Sequence, residues 1–259
     1  MTDRRRRQKE QRAAKRETER KQSARRELWR RLGIAVGFGG LIVAILVVGS
    51  IFGPDEGSVP SSYEGYRGQE TACGGTPPEP EVVMEFDSPE EQDDLGDGAT
   101  AMVTTSCGDI TIELDPEGFP ETVNSFVFLA RAGFYDGQVF HRIVPDFVAQ
   151  GGDPQADGTG GPGYDISDEF PDDDFEYETG VVAMANRGRG TTGSQFFIVL
   201  GDAARVLTNQ FNIVGRVTDG FDTLEAIAGV ELTNRPNTNE TSLPLETVYI
   251  EEITIETGT

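Results

Sequence analysis

The stretch "VFHRIVPDFVAQGGD", Val139 to Asp153, holds the single histidine of this 259-residue chain, His141, followed directly by Arg142. One histidine narrows the chemistry at once. A Ser-His-Asp hydrolase would need His141 as its base, and "TTGSQFF" lacks the glycine two residues before Ser194 that a nucleophile elbow requires. No His-Glu-x-x-His pair, cysteine cluster or Gly-x-x-x-x-Gly-Lys occurs, and no lysine follows Lys21, which argues against zinc hydrolysis and P-loop chemistry. The acid-rich "DISDEFPDDDFEYE", Asp165 to Glu178, lacks the ligand spacing of an EF-hand and reads as a solvated loop. Glycines 151, 152, 158, 160, 161 and 163 read as turns, without a dinucleotide fingerprint. No metal or cofactor is expected. What remains is an arginine among aromatics, a group that donates hydrogen bonds while staying charged.

Such a group must be aimed by regular structure. Side chains alternate faces along a strand, so in "VFHRIV" His141 and Arg142 point opposite ways. From Ala99, alternation in Met102/Thr104 and in Ile110/Ile112/Leu114, with Gly108-Asp109 as the turn, predicts a hairpin. Pro120 suits a helix start, Val123, Phe126, Val127 and Ala130 recur on one face, and Gly133 offers a stop. "FFIVL", "FNIVGRV" and "VYIEEITIE" read as strands, and "DTLEAIAGV" as a second short helix before Gly229. In the last strand the apolar phase slips from Ile250 to Ile253, which predicts a β-bulge at Glu251-Glu252. Strands without regular helix alternation argue against a doubly wound fold and for a barrel with helical plugs.

The rest of the chain divides by charge. Residues 1–31 carry 14 Lys and Arg against 5 Asp and Glu, net +9, whereas the remaining 8 basic and 40 acidic residues give net −32. Between them "LGIAVGFGGLIVAILVVGSIFG", Leu32 to Gly53, is 22 uncharged residues, long enough as a helix to cross the roughly 30 Å hydrocarbon layer. A cleaved signal peptide fits less well, because the basic region is long and no small-x-small site follows clearly. Arg25, Arg26, Arg30 and Arg31 on one flank, with Asp55 and Glu56 on the other, place the N-terminus in the cytoplasm and the acidic bulk outside. The basic segment is read as contacting anionic membrane lipid rather than nucleic acid. Residues 54–98, rich in Pro, Gly, Ser and acid, are expected to form a disordered stalk leading to a domain over 99–259. Cys73 and Cys107 are the two cysteines, and an even count outside a membrane favours a disulfide over two free thiols.

Two stretches decide between these possibilities. "FHRIVPDFVAQGGDP" and "MANRGRGTTGSQFFI", with "DEF" at Asp168 to Phe170 and "NIVGRV" at Asn212 to Val217, resemble the signatures of the cyclophilin-type peptidyl-prolyl isomerases, over roughly Thr100 to Glu256. The resemblance implies a mainly β fold: a closed eight-stranded antiparallel barrel capped by two helices, with a substrate groove on the outside of the sheet. It implies a catalytic role for Arg142, with Phe147 and Gln150, and a substrate groove of Val148, Ala185, Asn186, Gln195, Phe197, Leu207 and Phe211. His141 has a supporting place. The chain departs from the family at Val206, where many members carry tryptophan, and at Phe211, where histidine or tyrosine is usual.

The implied reaction is rotation about Xaa-Pro bonds, whose barrier of about 18–20 kcal/mol reflects the nitrogen lone pair shared with the carbonyl. A catalyst needs no nucleophile, base or metal, because it has to favour the twisted state, whose pyramidal nitrogen accepts a hydrogen bond. The expected partners are proline-containing polypeptides, here exported proteins that need help folding. Two alternatives use the same residues differently: a catalytically weak proline-peptide receptor or chaperone working through the same groove, and an acidic surface protein in which the fold presents charge.

Overall fold

The computed structural model describes residues 62–258 except 81, 97 and 237. The basic segment over 1–31 and the candidate span Leu32–Gly53 lie outside the described residues. Among the described residues, no helix is long and apolar enough to cross a membrane.

Among the described residues ten strands form: β1 (Thr100–Thr105), β2 (Gly108–Leu114), β3 (Arg142–Val144), β4 (Val148–Gly151), β5 (Val181–Met184), β6 (Phe196–Val199), β7 (Ile213–Asp219), β8 (Leu232–Asn234), β9 (Thr241–Pro244) and β10 (Ile250–Glu256). Eight of them make one antiparallel sheet in the order β10-β1-β2-β7-β5-β6-β4-β3, while β8 and β9 pair as a separate hairpin. The expected barrel is therefore strongly curled but not closed, with β3 and β10 as its edges. Strand β3 has three residues, all paired with β4, and its other side packs against β9 without joining it in the sheet. The seam is crossed by the chain entering β3, where the Gly137 and Phe140 N–H groups donate to the Ile250 and Val248 carbonyls.

Period-two patterning sets the curl's inner core. Ala101, Val103, Ile110, Ile112 and Leu114 from β1 and β2 point inward, where they meet Val123, Phe126, Val127 and Ala130 of helix α2 (Pro120–Arg131). Met102, expected to mark the apolar phase of its strand, is 37% exposed, because Ala101 and Val103 occupy the inner face. The hairpin turn falls at Ser106-Cys107 instead of Gly108-Asp109. Gly108 opens β2 at φ 127°, where a Cβ would stand 2.6 Å from Thr223 Oγ1 of helix α3 (Phe221–Ala228). The bulge in β10 is present: Thr104 pairs with Glu252 but Thr105 pairs with Ile250, leaving Glu251 as the extra residue.

A second apolar cluster lies on the other face of β4 to β7. Alternation sends Ala149, Val182, Met184, Phe196 and Ile198 inward and Val148, Val181, Ala183, Phe197 and Val199 outward, and both sets are buried. This two-sided burial explains the continuous apolar run in β6. Tyr177 and Ala204 cover the outer set, with Phe119, Phe147, Phe175, Ala185, Leu207 and Phe211 packed at its margin.

From Ser62 onward the expected stalk is an arm laid on the domain. Short helix α1 (Tyr63–Arg67) buries Tyr63 and Tyr66 among Val139, Ala156, Leu243 and Tyr249. Further along, the Phe86 ring meets Phe128 edge-on at 4.9 Å, and Arg131 grips the Asp94 carboxylate at 2.7 and 2.8 Å. Cys73 and Cys107 are joined by a disulfide that ties the arm to the β1–β2 turn, with their Cα atoms 5.1 Å apart. Composition suggested a stalk because the arm is rich in Pro, Gly, Ser and acid. A few aromatic residues bind it down.

Candidate active site

The residues proposed from sequence lie along one line of cross-strand pairs. Arg142 on β3 faces Gln150 on β4, Gln150 faces Phe197 on β6, and Phe197 faces Ala183 on β5. Directly opposite residues share a face of an antiparallel sheet, so these four side chains form a row on the outside of the curl. His141, one residue before Arg142, is buried on the opposite side, as strand alternation requires.

At one end of the row, the Arg142 guanidinium lies 5.7 Å over the Phe147 ring, within cation–π range. Phe147 sits in the β3–β4 turn, where Asp146 adopts φ 61°. That turn is fastened to the segment after β6: the Leu200 N–H donates to the Phe147 carbonyl, and the Ala203 and Asp202 N–H groups donate to the carbonyl and carboxylate of Asp146. A 3-10 turn over Asp202–Val206 then delivers Leu207 and Phe211 to the outer cluster, where Phe211 meets Phe197 edge-on at 5.4 Å. Val148, Phe147, Phe197, Leu207, Phe211 and Ala185 thus belong to one apolar patch beside the guanidinium.

The amides of the site bond to one another. Gln150 Nε2 donates to Gln195 Oε1 at 2.9 Å, and Gln195 Nε2 donates to the Gly160 carbonyl at 3.0 Å. The Ala185 N–H donates to the Gln195 carbonyl, and Asn186 Nδ2 donates to the Gln210 carbonyl. Neither glutamine holds Arg142. Glu240 does so, accepting from Arg142 Nε and Nη2 at 2.8 Å each. Burial pushes the Glu240 carboxyl up, but the hydrogen bond and charge of Arg142, helped by Ser242 and Arg235, hold it down at about 2. Val206 is 70% exposed on the rim, and Ser194 is buried with its hydroxyl donating to the Gly152 carbonyl.

Four contributors escaped sequence reasoning. Glu240 and Arg235 come from the hairpin β8–β9, almost a hundred residues after Arg142, and no local pattern marks them. Tyr66 donates its hydroxyl to the His141 carbonyl at 2.9 Å, and Arg235 Nη2 donates to the same oxygen at 3.0 Å. Tyr177 packs between Phe175 and Phe211. Its signal was the alternation Phe175-Glu176-Tyr177-Glu178, hidden within an acidic stretch read as solvated.

His141 supplies a test of this packing. Its burial, reinforced by the charges of Arg235 and Arg142, lowers its pKa from 6.5 to about 3, and its Nδ1 has no partner among the described residues. The unfolded chain therefore binds a proton below pH 6.5 that the folded chain refuses until about pH 3. Stability is full above 6.5 and is lost as pH falls through this window, at up to about 1.4 kcal/mol per pH unit. Thermal unfolding scans are expected to show a midpoint that drops between pH 6.5 and 4.5, with His141→Gln flattening that slope. The Glu240 contribution acts below this range, between 4.5 and about 2. A wild-type midpoint independent of pH down to 4.5 would disprove the buried neutral imidazole.

Residues 100–255 match the family "Cyclophilin type peptidyl-prolyl cis-trans isomerase/CLD". The chain belongs to the cyclophilin family. It is 40% identical over 174 residues to peptidyl-prolyl cis-trans isomerase B of Streptomyces anulatus, covering 61% of this chain and 96% of that protein. Peptidyl-prolyl cis-trans isomerase B of Bacillus subtilis is 47% identical over 113 residues, which are 44% of this chain and 78% of that one. Among solved structures, a cyclophilin-type isomerase of Cryptosporidium parvum, crystallised in the presence of the dipeptide Ala-Pro, superposes with a TM-score of 0.55 at 28% identity. It covers 61% of this chain and 99% of that protein. This cyclophilin is accordingly an isomerase enzyme, and its outer row of side chains lies in the part of the chain that the family shares.

Proposed function

We propose that this cyclophilin isomerises Xaa-Pro bonds of exported or surface proteins through Arg142, acting on the outer side of a membrane in which residues 32–53 form a single span. The observation that carries the catalytic reading is the row Arg142, Gln150, Phe197 with its guanidinium over Phe147, beside an apolar patch. The substrate's proline ring rests against Phe147, Val148, Phe197, Leu207 and Phe211. As the amide twists, its nitrogen loses conjugation and becomes an acceptor. A donor that meets this nitrogen more strongly in the twisted state than in either planar isomer lowers the barrier without proton transfer or a covalent bond. Arg142 Nη1, which has no protein partner among the described residues, supplies that donor. Gln150 and Gln195 line the next segment of the groove, and Ala185 and Asn186 border the substrate backbone. Support for a proline-containing ligand comes from the Cryptosporidium parvum relative, crystallised in the presence of Ala-Pro.

The outer location is supported by the charge division around residues 32–53 and by the Cys73–Cys107 disulfide, since such bonds persist in oxidising compartments. Residues 1–31 then lie in the cytoplasm against anionic lipid. The test of catalysis is a proline-limited peptide assay on the full chain in detergent, beside Phe197→Ala. Losing the ring removes about 1.5–3 kcal/mol of apolar contact, so KM is expected to rise roughly tenfold or more. Wild-type turnover no faster than the uncatalysed rate would favour the peptide-receptor reading. Protease added to intact cells is expected to remove the domain and leave residues 1–31 protected; the reverse pattern rules out this orientation.

A further inference from the structure

The β8–β9 hairpin touches the start of β3 at two consecutive residues, His141 just before the strand and Arg142, its first residue. Arg235, just after β8, donates to the His141 carbonyl, and Glu240, just before β9, takes two donors of the Arg142 guanidinium. The connection between them is tightly tied: the Arg235 N–H donates to the Glu240 carbonyl at 2.8 Å, the Thr238 N–H and hydroxyl both donate to the Arg235 carbonyl, and the Glu240 N–H donates to Thr238 Oγ1. The carboxylate thus sits on a loop braced against the strand whose side chain it holds. Both members of the pair are largely covered, with 22% of the Arg142 side chain and 28% of the Glu240 side chain exposed. A two-point fork of this kind fixes the guanidinium plane as well as its position. It uses Nε and Nη2 and leaves Nη1 as the free donor.

We infer that Glu240 is a positioning residue for isomerisation: its fork holds the Arg142 guanidinium over Phe147 with Nη1 presented to the groove. This rests on the catalytic reading of Arg142 given above. An unheld arginine side chain samples several rotamers, and each productive encounter would then have to select one of them. Glu240 therefore acts on the chemical step and leaves the apolar patch that grips proline untouched. The alternative polarity, a carboxylate that competes with substrate for the guanidinium, predicts the opposite sign.

The experiment compares the full chain with Glu240→Gln, Glu240→Ala, Arg142→Ala and the double variant Glu240→Ala/Arg142→Ala, measuring kcat and KM for an Xaa-Pro peptide beside the thermal midpoint. Glu240→Ala is expected to lower kcat by about tenfold to a hundredfold with KM within about twofold, the scale of a misplaced catalytic group. Glu240→Gln keeps the shape and one acceptor, so its kcat falls between Glu240→Ala and wild type. In the Arg142→Ala background the Glu240 change has no further effect, a non-additivity that a structural role would not produce. Unchanged or faster turnover in Glu240→Ala, with Arg142→Ala inactive, overturns the positioning role and leaves the catalytic reading intact. Equal losses in both backgrounds overturn it in favour of simple stabilisation. Full activity in Arg142→Ala removes the catalytic reading itself.

Discussion

Arg142→Ala is expected to lower kcat by roughly 10²–10³-fold, the usual loss when a donor aimed at transition-state charge is removed. KM should change little, because the apolar patch of Val148, Phe197, Leu207 and Phe211 does not depend on the guanidinium for its packing. The fold should survive as well: Arg142 lies on the outer face of an edge strand, and the buried members of β3 and its entry are Ile143, His141 and Phe140. Arg142→Lys should not restore the rate. An ammonium is a compact charge that cannot fork to Glu240 through one face while presenting a second planar donor to the substrate. Protease-free peptide isomerisation, followed by NMR exchange, checks both variants. A kcat within threefold of wild type for Arg142→Ala would remove the arginine from the mechanism.

The second large effect concerns stability. The disulfide from Cys73 to Cys107 closes a loop that contains the last part of the arm and the whole of β1. Replacing both cysteines by serine is expected to cost about 2–4 kcal/mol, which for a domain of this size lowers the thermal midpoint by roughly 5–15 °C. The arm that the disulfide retains does more than cover surface. Tyr66 reaches the His141 carbonyl, and Thr247 Oγ1 donates to the Tyr66 carbonyl, so the arm, the entry to β3 and the approach to β10 are linked at the seam of the open sheet. A chain beginning at Ala99 would expose Val139, Leu243 and Tyr249, which pack against Tyr63 and Tyr66. It is expected to unfold at a lower temperature than one beginning at Ser62. Identical midpoints for the two chains would show that the arm contributes nothing to stability, and identical midpoints for oxidised and reduced protein would show the same of the disulfide.

These two expectations separate what each level of structure contributes. That Arg142 and His141 face opposite ways was legible from the sequence alone, because alternation along a strand is a local property that needs two neighbours and no tertiary contact. Helix α2, with its proline start and glycine stop, and the slip in β10 were legible for the same reason: each is a departure in period or backbone freedom that a short window contains. The row Arg142, Gln150, Phe197 was also legible, but through resemblance to a family and not through any spacing in the chain.

Closure of the sheet, the fate of the arm and the grip on Arg142 were decided by the tertiary structure. A three-residue β3 carries no signal of how its free edge is covered; that depended on a hairpin arriving almost a hundred residues later. The arm is acidic and rich in proline and glycine, so its average composition describes a solvated chain, yet burial of Tyr63, Tyr66, Ala72 and part of Phe86 is enough to bind it. Glu240 is one carboxylate among 45 acidic residues. Sequence determined that Arg142 and His141 face opposite ways; only the folded chain could choose the acid that holds the arginine, because ion pairing follows distance in space and leaves no trace in the spacing of residues along the chain.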